Sequence, residues 1–426
     1  MEAAAHRPEN VVVAVLIALI VIVLAARAAG AAAAALKQPR AVGEIIAGLL
    51  LGPSFLGHFF PGVSLALFSP VSAEPIMVLS QIGLVLLLFQ DGSDAEFGHL
   101  DSTRNKIAVA ATAIASIAAP LAIGFIIGRA STPALAGNTN ADAYAMFVAI
   151  ALAVTAVPVL GRILRQFQLN RVDTGVIALS ASAINDVTVW LLLAAISAYA
   201  SSHLTLGSAI LQLVEVIAYV LALRFIVRST MDALIKRFPI GAGKMPAGLM
   251  AIVVALLFAS ALTTQAIGVF MIFGSFMFGM LFHRHHAFVA AWREQVGQFV
   301  LVFFLPIYFT YTGLRANVLG LDTGAHWLWL AIIVACAIPA KIIPVYLANR
   351  LAGLGHTQAS MIGVLMNCRG LTGLIVLNIG YSLGLVPQAV FTMLVIMSVI
   401  TTLITGPLLS LLLRRGGQPV GELVEA

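Results

Sequence analysis

Three acidic residues stand inside long apolar runs: Glu44, Asp186 and Glu215. The other members of the 17 Asp and Glu fall between such runs, at their ends or in the tails. An acid at apolar depth is costly and by default marks an ion or proton path. Asp186 sits mid-run in Ala183-Ile184-Asn185-Asp186-Val187-Thr188-Val189-Trp190. Ser182 precedes it by one helical turn, so its hydroxyl shares the Asp186 face. Asn185 adds an oxygen donor without adding charge. A carboxylate in that setting holds a proton or a dehydrated alkali cation, not both, and competition for one site is sufficient for exchange. One titrating acid points to one proton per cycle, which balances one monovalent cation and leaves no net charge moved.

Two cations lie at the same depth. Lys341 falls mid-run in Cys336-Ala337-Ile338-Pro339-Ala340-Lys341-Ile342-Ile343-Pro344, and a buried amine needs a partner. The Asp186 region, or Asn185, supplies one. Arg369 sits in Asn367-Cys368-Arg369-Gly370, where it can offset the carbonyl dipoles of helix ends. Glu44 reads equally as a packing, interface or transport residue, and Glu215 is given no role. His283, His285 and His286 cluster with Arg284 in a spacing that makes no metal site; a solvated basic loop is the favoured reading over pH sensing. Cys336 and Cys368 provide neither a disulfide framework nor a zinc spacing. No cofactor is expected.

These residues must be held in a membrane. The 426 residues are 61% hydrophobic and only 9% charged, against the quarter or so that a soluble domain carries. That excludes a cytosolic enzyme, a disordered chain and a nucleic-acid binder, and the net charge of +6 is spread between apolar runs rather than gathered in a patch. A helix needs roughly 20 apolar residues to span a bilayer. About thirteen runs qualify, near 10–33, 41–57, 75–90, 107–128, 143–164, 172–200, 205–226, 246–264, 266–283, 297–314, 327–349, 358–383 and 388–413. With the N-terminus outside, eighteen of the 23 Lys and Arg fall in the cytoplasm. Arg7, Arg129 and Arg315 stay outside, and Lys341 and Arg369 lie at membrane depth. That is the positive-inside pattern, with a cytoplasmic C-terminus and the inner membrane of a bacterium as the expected location.

Thirteen spans divide into a first repeat at 1–200, a linker span with its loop at 201–245, a second repeat at 246–413 and a short cytoplasmic tail at 414–426. The second six then start on the opposite side from the first, as an inverted repeat requires. Each half carries one interrupted span. The fifth is broken at Thr155-Ala156-Val157-Pro158, because proline lacks a backbone donor and clashes with the preceding turn. The twelfth is broken at Asn367-Cys368-Arg369-Gly370, followed by Gly373. Matched interruptions of this kind point to a transporter's binding site.

Several stretches resemble the monovalent cation:proton antiporter-2 family, especially its plant cation/H+ exchanger branch and the bacterial K+ efflux antiporters. The likeness runs from Gln38-Pro39-Arg40 and Glu44-Ile45-Ile46-Ala47-Gly48 through Thr155–Leu164 and Asn185-Asp186 to Leu305-Pro306-Ile307-Tyr308-Phe309 and Leu365–Leu371. It covers nearly the whole chain in order. The resemblance implies the sodium/proton antiporter fold, a homodimer, and a core domain that moves against a dimerisation domain in an elevator cycle. It implies Asp186 as the shared carrier of H+ and of Na+ or K+. Asn185, Ser182 and the backbone of Thr155, Ala156 and Val157 would supply further oxygens, and Lys341 would be the family's eleventh-helix lysine. Gln265 and Gly373 stand where relatives often have an acid, and Phe89-Gln90-Asp91-Gly92-Ser93-Asp94 replaces a more apolar run. No soluble nucleotide-binding domain is expected, so ligand gating through one is not.

Other classes fit less well. A passive channel needs a continuous filter or an acidic ring, and neither is present in the sequence. A membrane enzyme needs several acids and histidines at one depth. The same fold exporting an organic cation remains an alternative that composition does not separate.

Overall fold

The computed structural model describes residues 8–36, 38–94, 102–169, 172–200, 206–241 and 244–415. Arg7, Lys37 and Arg171, the acids Glu2, Glu96, Asp101, Glu422 and Glu425, the start of the linker region and the tail beyond Arg415 lie outside them. Among the described residues the structure is helical throughout, with a single isolated bridge between Gly241 and Lys244. Eleven helices are long and apolar enough to cross a membrane, or twelve if the bent pair His286–Gly297 and Val300–Arg315 makes one span. The remaining expected run, 266–283, forms the short apolar helix Met271–Phe282. Gly268, at φ +84°, ends the preceding helix inside that run and shortens it. The chain is a multi-pass membrane protein.

The chain folds as two compact units. One comprises Met1–Val23, Ala66–Glu96 and Ser197–Tyr311; the other comprises Leu24–Leu65, Phe97–Ile196 and Thr312–Ala426. In the first unit, the helices Pro70–Ser93 and Met271–Gly279 pack closely, with Phe89 edge-on to Trp292 at 4.6 Å and to Phe282 at 5.6 Å.

The second unit holds every residue singled out for transport. Its helices are α1 (Arg40–Leu51), α2 (Thr103–Leu135), α3 (Ala141–Ala153), α4 (Val157–Gln166), α5 (Asp173–Ala200), α6 (Gly324–Leu351), α7 (His356–Met366), α8 (Gly370–Ser382) and α9 (Gln388–Arg415). α3 packs along α2 through small residues. A Cβ on Gly124 or Gly128 would lie 2.6 Å from the Cα of Ala149 or Ala145 respectively, closer than any real side chain sits. Lipid tails give no hydrophobic drive between helices, so close backbone approach through Gly and Ala, at four-residue spacing on both helices, supplies the packing. α6 lies against α2, α7 and α9.

The two interrupted spans are the most enclosed, with 89% of the window in Ala141–Gln166 and 94% in His356–Ser382 buried. That is where irregular backbone is tolerated, because protein rather than lipid receives its polar groups.

Candidate ion site

The first interruption is short. α3 ends at Ala153, Val154 turns extended at φ −62° and ψ 142°, and Ala156 is extended at φ −99° and ψ 103°. α4 then starts at Val157 with Pro158 in its first turn, where the missing N–H costs nothing. The second interruption follows the same plan. α7 ends at Met366, Asn367 and Arg369 remain near helical angles, and Gly370 takes φ +26° as α8 begins. A Cβ at Gly370 would collide with the Val159 side chain, so glycine is required both by φ and by space.

The two interruptions meet. The Ala156 N–H donates to the Cys368 carbonyl at 2.9 Å, and the Thr155 hydroxyl donates to the Met366 carbonyl at 3.2 Å. Broken helices leave carbonyls and N–H groups that cannot be left bare at this depth, since each unmade bond costs several kcal/mol, on the order of 2 to 7. The crossing therefore satisfies part of each end with the other.

Asn185 and Asp186 lie on α5, which runs unbroken past the first interruption. Asn185 is fully buried and Asp186 is 1% exposed. The Asn185 Oδ1 accepts the Thr155 N–H at 3.0 Å, while its Nδ2 donates to the Ala153 carbonyl at 3.0 Å and to Ser116 Oγ at 3.3 Å. This fixes which end of the amide is which. Rotating it would set Nδ2 against a backbone donor and Oδ1 against a carbonyl. Sequence reasoning expects Asn185 to add an oxygen beside Asp186, whereas here its amide bridges the two sides of the broken backbone. The Ser182 hydroxyl is fully buried, and its oxygen has no hydrogen-bond partner among the described residues. Thr155 and Ala156 are fully buried and Val157 nearly so.

Two cations close the carboxyl end of α3. Lys341, on α6 and fully buried, donates through Nζ to the Ser116 carbonyl at 2.8 Å, to the Val154 carbonyl at 3.4 Å and, more closely still, to the Ala153 carbonyl. That uses all three ammonium protons. Lys341 thus reaches Asn185 through a shared acceptor, the Ala153 carbonyl. Arg369, fully buried at the second interruption, donates through Nη2 to the Leu152 carbonyl at 2.7 Å and the Ala337 carbonyl at 3.2 Å, with Nη1 2.9 Å from Met397 Sδ. The last carbonyls of α3 carry the negative end of its dipole, so positive charge belongs there. These contacts set the Arg369 guanidinium against carbonyls of two helices.

Some residues stand apart from this cluster. Glu44 on α1 is 4% exposed, with its Cγ 3.5 Å from where a Cβ on Gly30 would stand, and Glu215 is exposed. In the other unit, His285 Nε2 lies 2.8 Å from Asp232 Oδ1, and His283 Nδ1 lies 2.7 Å from the Met280 carbonyl. No group of His, Cys, Asp and Glu able to hold a metal occurs among the described residues. Gln265 is exposed, while Gly373 is buried with Val154 Cγ1 3.4 Å from where a Cβ would stand.

Ser116 and the carbonyls at 152–154 take part as well and are not among the residues the sequence singles out. Backbone acceptors leave no mark in a sequence. Ser116 and Thr112 do lie four residues apart on one face of an otherwise apolar span, and that stripe was the available signal. Thr112 Oγ1 accepts from Asn349 Nδ2 at 2.7 Å, which pins α6 to α2 two turns beyond Lys341.

Comparison with known proteins shows the family to which the chain belongs. The family model described as sodium/hydrogen exchanger, transmembrane, matches residues 11–415. The Na(+)/H(+) antiporter NhaS4 of Synechocystis sp. is 34% identical over 379 residues, covering 87% of this chain and 90% of the relative. Cation/H(+) antiporter 17 of Arabidopsis thaliana is 34% identical over 378 residues, 88% of this chain but 45% of the plant protein, so the chain spans under half the length of that relative. Among solved structures, the sodium proton antiporter MjNhaP1 from Methanocaldococcus jannaschii superposes with a TM-score of 0.61 over 96% of this chain and 100% of that one, at 15% identity. That likeness is one of fold.

Proposed function

The chain belongs to the sodium/hydrogen exchanger family, and on that premise we propose that it is a secondary active antiporter exchanging H+ for Na+ or K+, with Asp186 as the group both ions compete for. The observation that carries this reading is the buried carboxylate of Asp186 beside an interrupted helix whose loose backbone is already tied down by other residues. A bare carboxylate at membrane depth is expensive, whereas a protonated or cation-loaded one is close to neutral. A core that crosses only when Asp186 is loaded couples the two ions without any further gate.

The parts then divide the work. Asp186 binds the ion, and the buried Ser182 hydroxyl, together with the backbone carbonyls of Thr155, Ala156 and Val157, supplies oxygens around it. Asn185 contributes by holding the backbone that presents those oxygens. Lys341 and Arg369 balance the α3 carbonyl end, and both are engaged with carbonyls, so neither needs to change charge during the cycle. One titrating carboxylate against one monovalent cation makes the exchange electroneutral. The moving body in an elevator cycle would be the unit that contains all of these residues, and the other unit would serve as the frame and as the surface for a homodimer.

The test is a cation-induced pH change in proteoliposomes, with Na+, K+ and Li+ offered separately. Wild-type protein should give a signal with at least one of them, and Asp186→Asn should give none while remaining folded. No signal with any alkali cation, from folded protein across a range of pH, would move the reading to an organic cation carried on the same fold.

A further inference from the structure

The second interruption has its own support, and it comes from a helix that no transport role has been given. The first N–H groups of any helix lack acceptors within the helix, and an N-cap side chain ordinarily supplies one. At α8 the N-cap position is Arg369, whose side chain makes no capping bond because a guanidinium has donors only, and those are turned to the Leu152 and Ala337 carbonyls. The acceptor is Thr402 on α9. Its Oγ1 receives the Arg369 N–H at 3.3 Å and the Gly370 N–H at 3.2 Å, and it donates its own proton to the Ser398 carbonyl at 2.7 Å. A hydroxyl has two lone pairs and one proton, and here all three are used at a side chain that is 1% exposed. One residue earlier on α9, the Thr401 carbonyl accepts from Asn367 Nδ2 at 3.2 Å, so α9 holds the interruption at both edges.

We propose that Thr402 is a positioning residue for transport, which caps the second interruption from another helix as Asn185 bridges the first. The chain of consequence is short. Thr402 fixes the main chain of Arg369 and Gly370, the Arg369 guanidinium fixes the Leu152 carbonyl, and Leu152 immediately precedes the residues that Asn185 and Lys341 hold. Without the hydroxyl, two buried donors lose the acceptor that Thr402 gives them, Gly370 is free to leave its positive φ, and the oxygens of the first interruption lose their fixed place. The transport part of this inference rests on the antiport reading; the capping part does not.

Thr402→Val keeps the shape and removes the hydroxyl, and Thr402→Ser restores the hydroxyl. Thr401→Val is the control, because it alters the neighbouring side chain and keeps the carbonyl that Asn367 uses. Two readouts separate the claims. In purified protein, amide hydrogen exchange at 369–371 should speed up at least roughly ten-fold in Thr402→Val, with later α8 amides unchanged and Thr402→Ser and Thr401→Val like wild type. In proteoliposomes the apparent cation KM of Thr402→Val should rise about ten-fold, with the maximal rate within about two-fold, and Thr402→Ser should recover it. Unchanged amide exchange in Thr402→Val overturns the capping. Faster amide exchange with a wild-type KM overturns the positioning role, as does a KM defect that Thr402→Ser does not repair. If Thr402→Val does not fold, Thr402→Ala carries the same two readouts. Absence of any exchange by wild type counts against the antiport reading instead, and the amide measurement still decides the capping.

Discussion

The two interrupted spans solve one problem with different chemistry. At the first, Asn185 bridges Ala153 and Thr155 with an amide, and the α3 carbonyls receive an ammonium and a guanidinium. At the second, Thr402 caps two N–H groups with a neutral hydroxyl, and Asn367 anchors to a carbonyl. Asp186 follows in sequence the residue that bridges the first interruption, and Gly373 stands in the first turn of α8 after the second. Positive charge thus gathers where a helix C-terminus must be neutralised near an acid, and a hydroxyl serves where only donors need an acceptor. The asymmetry teaches that two interruptions bonded to each other can be tied down by different chemistry, charged groups at one and a neutral hydroxyl at the other.

Removing the acid should break that asymmetry outright. Asp186→Asn should reduce exchange at least about a hundred-fold in dequenching assays while leaving gel-filtration behaviour unchanged. Next in size, Arg369→Gln should lose stability by about 3 kcal/mol, seen as a lower thermal midpoint, because the Leu152 and Ala337 carbonyls lose a charged donor. Arg369→Lys should not repair it, since one ammonium cannot reproduce the planar fork. Gly370→Ala strains the second interruption where it meets α4. Its Cβ meets Val159 and its φ is +26°, so a loss of about 2 kcal/mol in the same melting assay is expected. Asn185→Asp sharpens the charge argument: a second carboxylate at the first interruption should make exchange respond to membrane voltage, read as a current in planar or solid-supported membranes. Voltage-independent exchange in that variant would count against the single-acid account. At the small end, Gln265→Ala alters an exposed side chain far from either interruption in the sequence and should leave both melting and exchange unchanged within error.

Much of the architecture could be read from residue order because lipid imposes a strict rule. A span must be a contiguous apolar helix of about 20 residues, and the run lengths mark nearly every one. The exception is 266–283, where Gly268 at φ +84° cuts the run and leaves a short helix. Pro158 and Gly370 announced the interruptions, since each residue type is hard to accommodate in an unbroken helix. Asp186 was legible as an acid in the middle of a long, largely apolar run. What the residues could not reveal is where polar side chains point. Asn185 looks like a ligand in one dimension and acts as a backbone bridge in three. Lys341 looks like the partner of an acid, and besides Asp186 it has carbonyl acceptors that any sequence could supply. Thr402 belongs to a hydroxyl face, Ser398, Thr401, Thr402 and Thr405, spaced to share one side of α9. Such hydroxyls in membrane helices commonly bond their own preceding turn, as Thr405 does to the Thr401 carbonyl, so the face alone does not single out the one that reaches a neighbour.

The central claim is that one carboxylate serves both ions by competition. Apparent cation KM measured in proteoliposomes at a series of pH values tests it most directly. Competition at a single group predicts that KM rises as pH falls, approaching about ten-fold per pH unit once protons dominate the site, with the maximal rate at saturating cation unchanged. A cation KM that stays flat across that range in protein that exchanges would contradict the account.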